Sequence, residues 1–373
     1  MRKTLAIIGA SYLQKPLADK AKEMGLYTIC FAWADGAICK DIVDEFYPIS
    51  IVEKEEILKI CQQKHIDGIC TIASDVAAPT VAYVANAMRL VGNDYESAIK
   101  ANNKGLMRKA FVLHNIPCPW FKEVTSINDL DDITLNFPLI VKPVDRSGSL
   151  GVTKVDDAEK LEMDIDCAIR NSFSKRAMVE QFVEGREISV EFISYNGVHY
   201  PLQITDKVTT GAPHFVELEH HQPSILPNDI KDRIYSITKN AIDSLGLTNG
   251  ATHTEYKITP NGDIYIIELG GRMGGDFIGS DLVQLSTGYD FLKGVVDVAL
   301  GQFEEPVLTE NKYSGVYFLC KETENMLPVF AKAIRKHEIV KSEISDEQLK
   351  NVTCSADRSG YMIYQSDKKL TFA

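Results

Sequence analysis

The chain has 373 residues, and 40 Lys and Arg against 52 Asp and Glu leave a formal net charge of −12. That acidic balance argues against a nucleic-acid surface, where affinity comes mostly from basic side chains on phosphates. With 45% hydrophobic and 25% charged residues, the composition suits two or three globular domains rather than a disordered or fibrous chain.

The start, Met1-Arg2-Lys3 before an apolar run, resembles a signal peptide. Gly9 breaks the run and Lys15 restores charge, so a buried first strand is expected. No later stretch approaches the roughly 20 apolar residues of a membrane helix. The eight cysteines are scattered, with no close pair at zinc-ligand spacing. They read as reduced core thiols of a cytosolic protein.

In the first hundred residues, Leu5–Ile8, Tyr27–Phe31 and Gly68–Ile72 are short β-favouring runs. Between them lie helical patterns, one with Leu17, Ala21 and Met24 on a face and one over Glu55–His65. Such alternation implies a parallel sheet covered on both faces. The dinucleotide fingerprint fails, because Ser11 and Gln14 follow Gly9 where close-approach glycines are needed. Asp75, just after the third strand, either meets a ligand or caps the next helix, and a cap is the plainer expectation. There is no Walker-type phosphate loop in the sequence.

Next, Phe137–Pro143 is an apolar strand with Lys142 near its end, running into the small loop Asp145–Gly151. An ammonium beside backbone N–H donors can hold a polyphosphate, and a surface hairpin with a snorkelling lysine gives the same pattern. Ala177–Val183 is a second apolar strand, followed by Glu184–Glu191. Backbone groups at Gln181 to Val183 could read an adenine edge and a carboxylate could accept ribose hydroxyls. A two-stranded hairpin with charged outer faces fits equally. Thr252–Ile258, the turn Pro260-Asn261-Gly262-Asp263 and Ile264–Arg272 form a hairpin that could set Glu255 opposite Glu268. Facing carboxylates repel unless a cation lies between them, and Mg²⁺ carrying triphosphate oxygens would serve.

In this order, over roughly residues 1 to 300, these segments resemble the ATP-grasp superfamily of carboxylate–amine ligases. The resemblance implies that Lys104 and Lys142 hold ATP phosphates and that the loop Ser147, Gly148, Ser149 to Gly151 closes over them. It implies an adenine hinge of Glu180, Phe182 and Val183, a ribose contact at Glu187, and Mg²⁺ ligands at Glu255 and Glu268. Arg272 would meet the transferred phosphate or the substrate carboxylate. The segment Ile204–Lys207 with Phe215–His220 looks like the bacterial L-amino-acid (dipeptide) ligases. By that likeness Lys207, Glu217, His220 and Arg272 would face the substrates. Strand-edge charge, with His221 as an exposed neighbour, is the other account of Glu217 and His220.

One departure is visible. Many family members carry Glu-x-Asn-x-Arg at the second metal site, and here Gly270 replaces the amide, leaving the number of Mg²⁺ ions open. Asp276 is expected to cap a helix over Phe277–Ser286. Beyond Gly301, strands are expected at Tyr313–Cys320 and Tyr361–Tyr364, with a mixed run over Leu327–His337. An exposed turn and short helix are expected over Ser342–Lys350. No chemistry stands out there.

The expected fold is α/β and α+β. An amino-terminal parallel α/β domain covers 1–100, an ATP-grasp domain 101–300, and a carboxy-terminal α+β cap 301–373. The activity the resemblance implies is an ATP-dependent ligase with Arg272, Lys142 and Glu217 in catalytic roles. It would join a carboxylate, an amino acid by the dipeptide-ligase likeness, to an amine through an acylphosphate, releasing ADP and phosphate. A non-ligating ATP-binding sensor or subunit and an ATP-grasp carboxylase are the alternatives. ATP and Mg²⁺ would be the cofactors and small molecules the partners, with no nucleic acid or membrane, and a homodimer is left open.

Overall fold

A computed structural model describes residues 2–146, 148, 150–332, 337–346 and 348–372. Among them the chain forms three sheets. In the first, β1 (Thr4–Ile8), β2 (Tyr27–Phe31), β3 (Glu45–Tyr47) and β4 (Gly68–Cys70) run parallel in the order β3-β2-β1-β4. Both faces of β1 are buried, which is why Leu5–Ile8 reads as unbroken apolar sequence. Leu5 and Ile7 pack with Leu17 and Ala21 of α1 (Lys15–Glu23). Ala6 and Ile8 face Ile57 and Cys61 of α2 (Lys54–Lys64) and Val84 of α3 (Ala78–Met88). β3 escapes the sequence reading because three residues carry no periodicity.

Helices α4 (Tyr95–Asn102) and α5 (Lys104–Leu113) lead to a small antiparallel sheet. It comprises β5 (Phe121–Val124), β6 (Leu139–Pro143), β7 (Thr153–Val155) and β8 (Ala177–Gln181), in the order β5-β8-β6-β7. Between β7 and β8, α6 (Leu161–Asn171) buries Leu161, Ile165 and Ala168 against Leu139, Val141 and Val179.

The largest sheet is antiparallel and begins with β9 (Arg186–Tyr195), β10 (Val198–Thr209) and β11 (Glu217–Gln222). After α7 (Asn228–Leu245) come β12 (Gly250–Ile258) and β13 (Ile264–Gly270). Then α8 (Val283–Thr287) and α9 (Phe291–Ala299) precede β14 (Tyr313–Leu319), β15 (Ile339–Ile344) and β16 (Gly360–Ser366). The strand order is β13-β12-β9-β10-β11-β14-β16-β15. Its core packs Ile188, Val190, Tyr256 and Ile266 against Ile234, Ile242 and Leu245 of α7.

β8 and β9 therefore lie in different sheets and are not the hairpin the sequence allowed. The mixed α+β carboxy-terminal segment joins the large sheet through β14, β16 and β15. Ser342–Ile344, expected as a turn and short helix, lie in β15. This is an edge strand with four of its six residues exposed, so its sequence is polar and shows no strand alternation. Instead of one helix over Phe277–Ser286, a π-helical turn at Ile278–Leu282 runs into α8. Among the described residues no helix is long and apolar enough to cross a membrane.

Candidate active site

The small and large sheets flank a cleft lined by Lys104, Lys142, Gly148, Glu180, Phe182 and Val183 on one side. Glu187, Lys207, Glu217, Glu255, Glu268 and Arg272 line the other. Gly151 and His220 do not line it. Ser147 and Ser149 lie outside the described residues.

Asn103 places Lys104. Its side chain caps α5 by accepting the Leu106 N–H at 3.0 Å, which sets Lys104 in the first turn. The Lys104 Nζ donates to the Arg146 carbonyl and to Glu268 Oε1, both at 2.7 Å. Lys142 on β6 and Glu180 on adjacent β8 are linked at 2.5 Å, and Arg108 Nε donates to the other Glu180 oxygen at 2.8 Å. All three side chains are buried. Burial raises the Glu180 pKa, but Arg108 and Lys142 outweigh it and hold the carboxyl at about 2. Burial pushes Lys142 down against the pull of Glu180. The Glu180 carboxylate is thus occupied in fixing Lys142. Of the hinge N–H groups, Gln181 donates to the Trp120 carbonyl and Phe182 to that of Pro138. No backbone partner of the Val183 N–H is found among the described residues.

On the opposite wall Glu255 and Glu268 are direct cross-strand partners, as the hairpin required. Each already meets a lysine. Glu268 has Lys104, and Glu255 accepts from Lys207 at 2.6 Å. Lys207 also reaches Glu187 at 3.1 Å and Glu217 at 3.5 Å. Burial lowers the Lys207 pKa, but these three acids outweigh it and raise it above the ordinary lysine value. His253 bridges Glu191 and Glu255. Burial lowers its pKa, but Glu191 prevails and lifts it to about 9. Burial, Asp276 and Glu255 together raise the Glu217 pKa against the opposing pull of Lys207.

Three expectations are corrected. Asp75 does not cap α3, whose N-cap is Ala77 without a side-chain bond. A parallel bridge between Ile72 and Met273 brings it instead to Arg272, whose Nη2 donates to Asp75 Oδ2 at 2.7 Å. Asp75 Oδ1 is buried without a partner among the described residues. Asp276 does not cap a helix either, because Arg358 binds both its oxygens at 2.8 Å. His221 is buried, not exposed, between Tyr364 and Glu219. Its neighbour His220 is also buried, with neither ring nitrogen partnered among the described residues, and burial and Lys207 lower its pKa.

The sequence reading passed over Arg108 and Arg358, and it weighed Asp75 only as a ligand contact or a helix cap. A lone buried arginine leaves no local signal when its acid lies 72 or 82 residues away.

These residues suit a magnesium–triphosphate ligand. Lys104 and Lys142 offer two cations from one wall, and Glu255 and Glu268 offer hard oxygen donors from the other. No group of three or more His, Cys, Asp or Glu at metal-binding spacing occurs among the described residues. Mg²⁺ takes one or two carboxylates and completes its shell with phosphate oxygens and water, and Glu255 and Glu268 could supply them. A Cβ at Gly270 would lie 2.3 Å from the orphaned Asp75 Oδ1, so the missing side chain is what makes room for Asp75.

Residues 135–281 match the ATP-grasp domain family. Alanine–anticapsin ligase of Bacillus subtilis is 31% identical over 245 residues, covering 59% of this chain and 51% of that one. D-alanine–D-alanine ligase of Francisella philomiragia is 26% identical over 187 residues, covering 49% and 61%. The chain thus spans about half the length of the alanine–anticapsin ligases it matches. An L-amino acid ligase from Bacillus licheniformis has the same fold, with a TM-score of 0.79 at 23% identity over 98% of this chain and 94% of that one. Phosphoribosylglycinamide synthetase from Anaerococcus prevotii does too, with a TM-score of 0.77 at 23% identity over 99% and 95%.

Proposed function

We propose, from the premise that residues 135–281 are an ATP-grasp domain, that the protein is an ATP-dependent carboxylate–amine ligase. One observation carries the reading. Lys104, Lys142, Glu255, Glu268 and Arg272 all line a single cleft. Sequence likeness to alanine–anticapsin ligase and D-alanine–D-alanine ligase supports an amino acid as the activated carboxylate.

Bound MgATP would supply the phosphoryl group that turns the carboxylate into an acylphosphate. Lys104 and Lys142 would hold the phosphates, with Glu255 and Glu268 as the metal's protein ligands. Phe182 and Val183 would flank the base and Glu187 the ribose. Arg272, oriented by Asp75, would neutralise charge developing on the transferred group. The amine nitrogen then attacks the acyl carbon, the bond to phosphate breaks, and the amine proton passes to Glu217 or to water. Burial suits Glu217 to that task by raising its proton affinity. Gly148 would lie over the phosphates and help exclude water. The free thiols at Cys30, Cys61 and Cys70 fit a reducing compartment, and we assign the protein to the cytosol.

The test is ADP release across pairs of amino acids and amines, with product masses determined. Release that needs both a carboxylate and an amine supports the ligase. Release that needs only bicarbonate would mark a carboxylase, and none at all a sensor. Glu268→Gln should abolish ADP formation without lowering the melting temperature by more than a few degrees. Undiminished turnover in that variant sinks the metal assignment.

A further inference from the structure

Glu191 sits in the middle of β9 with its side chain fully buried, and its direct cross-strand partner on β12 is His253. Val190 and Phe192 on either side pack into the apolar core with α7, so Glu191 faces the other side of the sheet. Its Oε1 accepts from the His253 ring at Nδ1, and its Oε2 accepts the Gly274 N–H at 3.0 Å. The far ring nitrogen, His253 Nε2, lies 3.4 Å from Glu255 Oε1, the same oxygen that accepts from Lys207 at 2.6 Å. Glu255 Oε2 has no partner among the described residues, which leaves it for a cation carried in by triphosphate. Gly274 lies two residues beyond Arg272, on a turn whose Met273 carbonyl accepts the Ala73 N–H at 3.0 Å. A Cβ at Gly274 would stand 2.6 Å from Glu191 Oε1 and 2.7 Å from His253 Nδ1, so only glycine lets this turn approach the pair.

A carboxylate stripped of water is costly unless partners replace its hydration, and an apolar side chain of like size would serve packing alone at least as well. Here the two oxygens are spent on groups that lead to different halves of the site. We propose that Glu191 is a positioning residue, and that the chain Gly274–Glu191–His253–Glu255 ties the turn carrying Arg272 to the metal-binding carboxylate. Glu191 does not line the cleft, whereas His253 does, so Glu191 acts through the ring. It fixes the orientation of the imidazole. The imidazole and Lys207 then hold Glu255 Oε1, which leaves Oε2 for the cation. The other Glu191 oxygen anchors Gly274 and so holds the far end of the Arg272 turn. Partners that orient a metal ligand in this way commonly account for 10–100-fold in metal affinity.

The inference rests on the ligase reading for what the metal and Arg272 act on, but its binding test needs no turnover. Mn²⁺ binding is followed by electron paramagnetic resonance in the presence of a non-hydrolysable ATP analogue, with melting temperatures taken on the same samples. Glu191→Gln keeps the size of the side chain and should weaken Mn²⁺ binding about tenfold or more. His253→Gln, which leaves the Gly274 bond in place, should weaken it to a similar degree. The double variant should bind within about twofold of the weaker single variant, because both changes cut the same chain. Affinity for the analogue without metal should stay within about twofold of the unmodified protein throughout. Mn²⁺ affinity unchanged in His253→Gln overturns the proposal, even where Glu191→Gln is too unstable to measure. Losses that multiply in the double variant overturn it too, as does an equal fall with and without metal, which marks a loosened fold. Absence of ADP release with every carboxylate and amine, beside a selective loss of Mn²⁺, overturns the ligase reading and leaves the positioning role standing.

Discussion

Single charged residues in this cleft are held by other charged residues, so replacing one of them also unbalances its neighbours. Glu180 stands between two buried cations. Glu180→Gln should destabilise the protein by about 3–5 kcal/mol, the usual consequence of leaving buried charge unpaired, as read from urea unfolding. The same group gives a pH signature. Its carboxyl falls from an ordinary 4.5 to about 2 on folding, so its contribution is complete above pH 4.5 and is lost as pH drops toward 2. The Glu180→Gln variant should lack that part of the acid loss, and identical acid profiles for the two proteins would refute the assignment. Gly270→Asn should push Asp75 off Arg272, lowering kcat/KM for ADP release tenfold or more. Asp75→Ala alone should lower kcat/KM to a similar degree, and adding it to Gly270→Asn should cost little more, because both changes remove the same contact to Arg272. Lys142, Glu255 and Glu268 stood out because each sits on a strand with its own pattern, whereas Lys104, in the first turn of α5, was singled out only through the family resemblance. The partners of Asp75, Arg108 and Arg358 were not legible, because only folding brings them near.

Secondary elements were legible where burial dictates composition. β1, β2 and β14 are covered on both faces and announce themselves as apolar runs. β3 is too short and β15 too exposed to do so. The link between β8 and β9 shows how much a connection can matter. Gly185 joins the small sheet to the large one, and a Cβ there would stand 2.1 Å from the Ile258 carbonyl oxygen at the end of β12. That oxygen is backbone and cannot rotate away. Gly185→Ala should therefore cost about 1–3 kcal/mol of stability, in the range of overpacked sites. By shifting the hinge residues it should also raise the KM for ATP. A variant with unchanged stability and KM would show that the two sheets tolerate sliding at this joint.

Across the whole molecule the net charge of −12 describes the outer surface, while the cleft pairs nearly every charge it holds. Ligand binding should stabilise the native state by mass action, about 2.7 kcal/mol when free ligand stands at 100 times its Kd. MgATP should accordingly raise the melting temperature more than ATP with a chelator does, and equal shifts would separate Glu255 and Glu268 from metal binding. The internal pairing has a selective consequence. Lys104 is already paired with Glu268 and Lys207 with Glu255, so a stray phosphate must displace a carboxylate to take either cation. A bare Mg²⁺ meets carboxylates in the same condition. Only a ligand that delivers anion and cation together can exchange both halves at once. The cleft should therefore favour a ligand that carries both charges over either ion arriving alone.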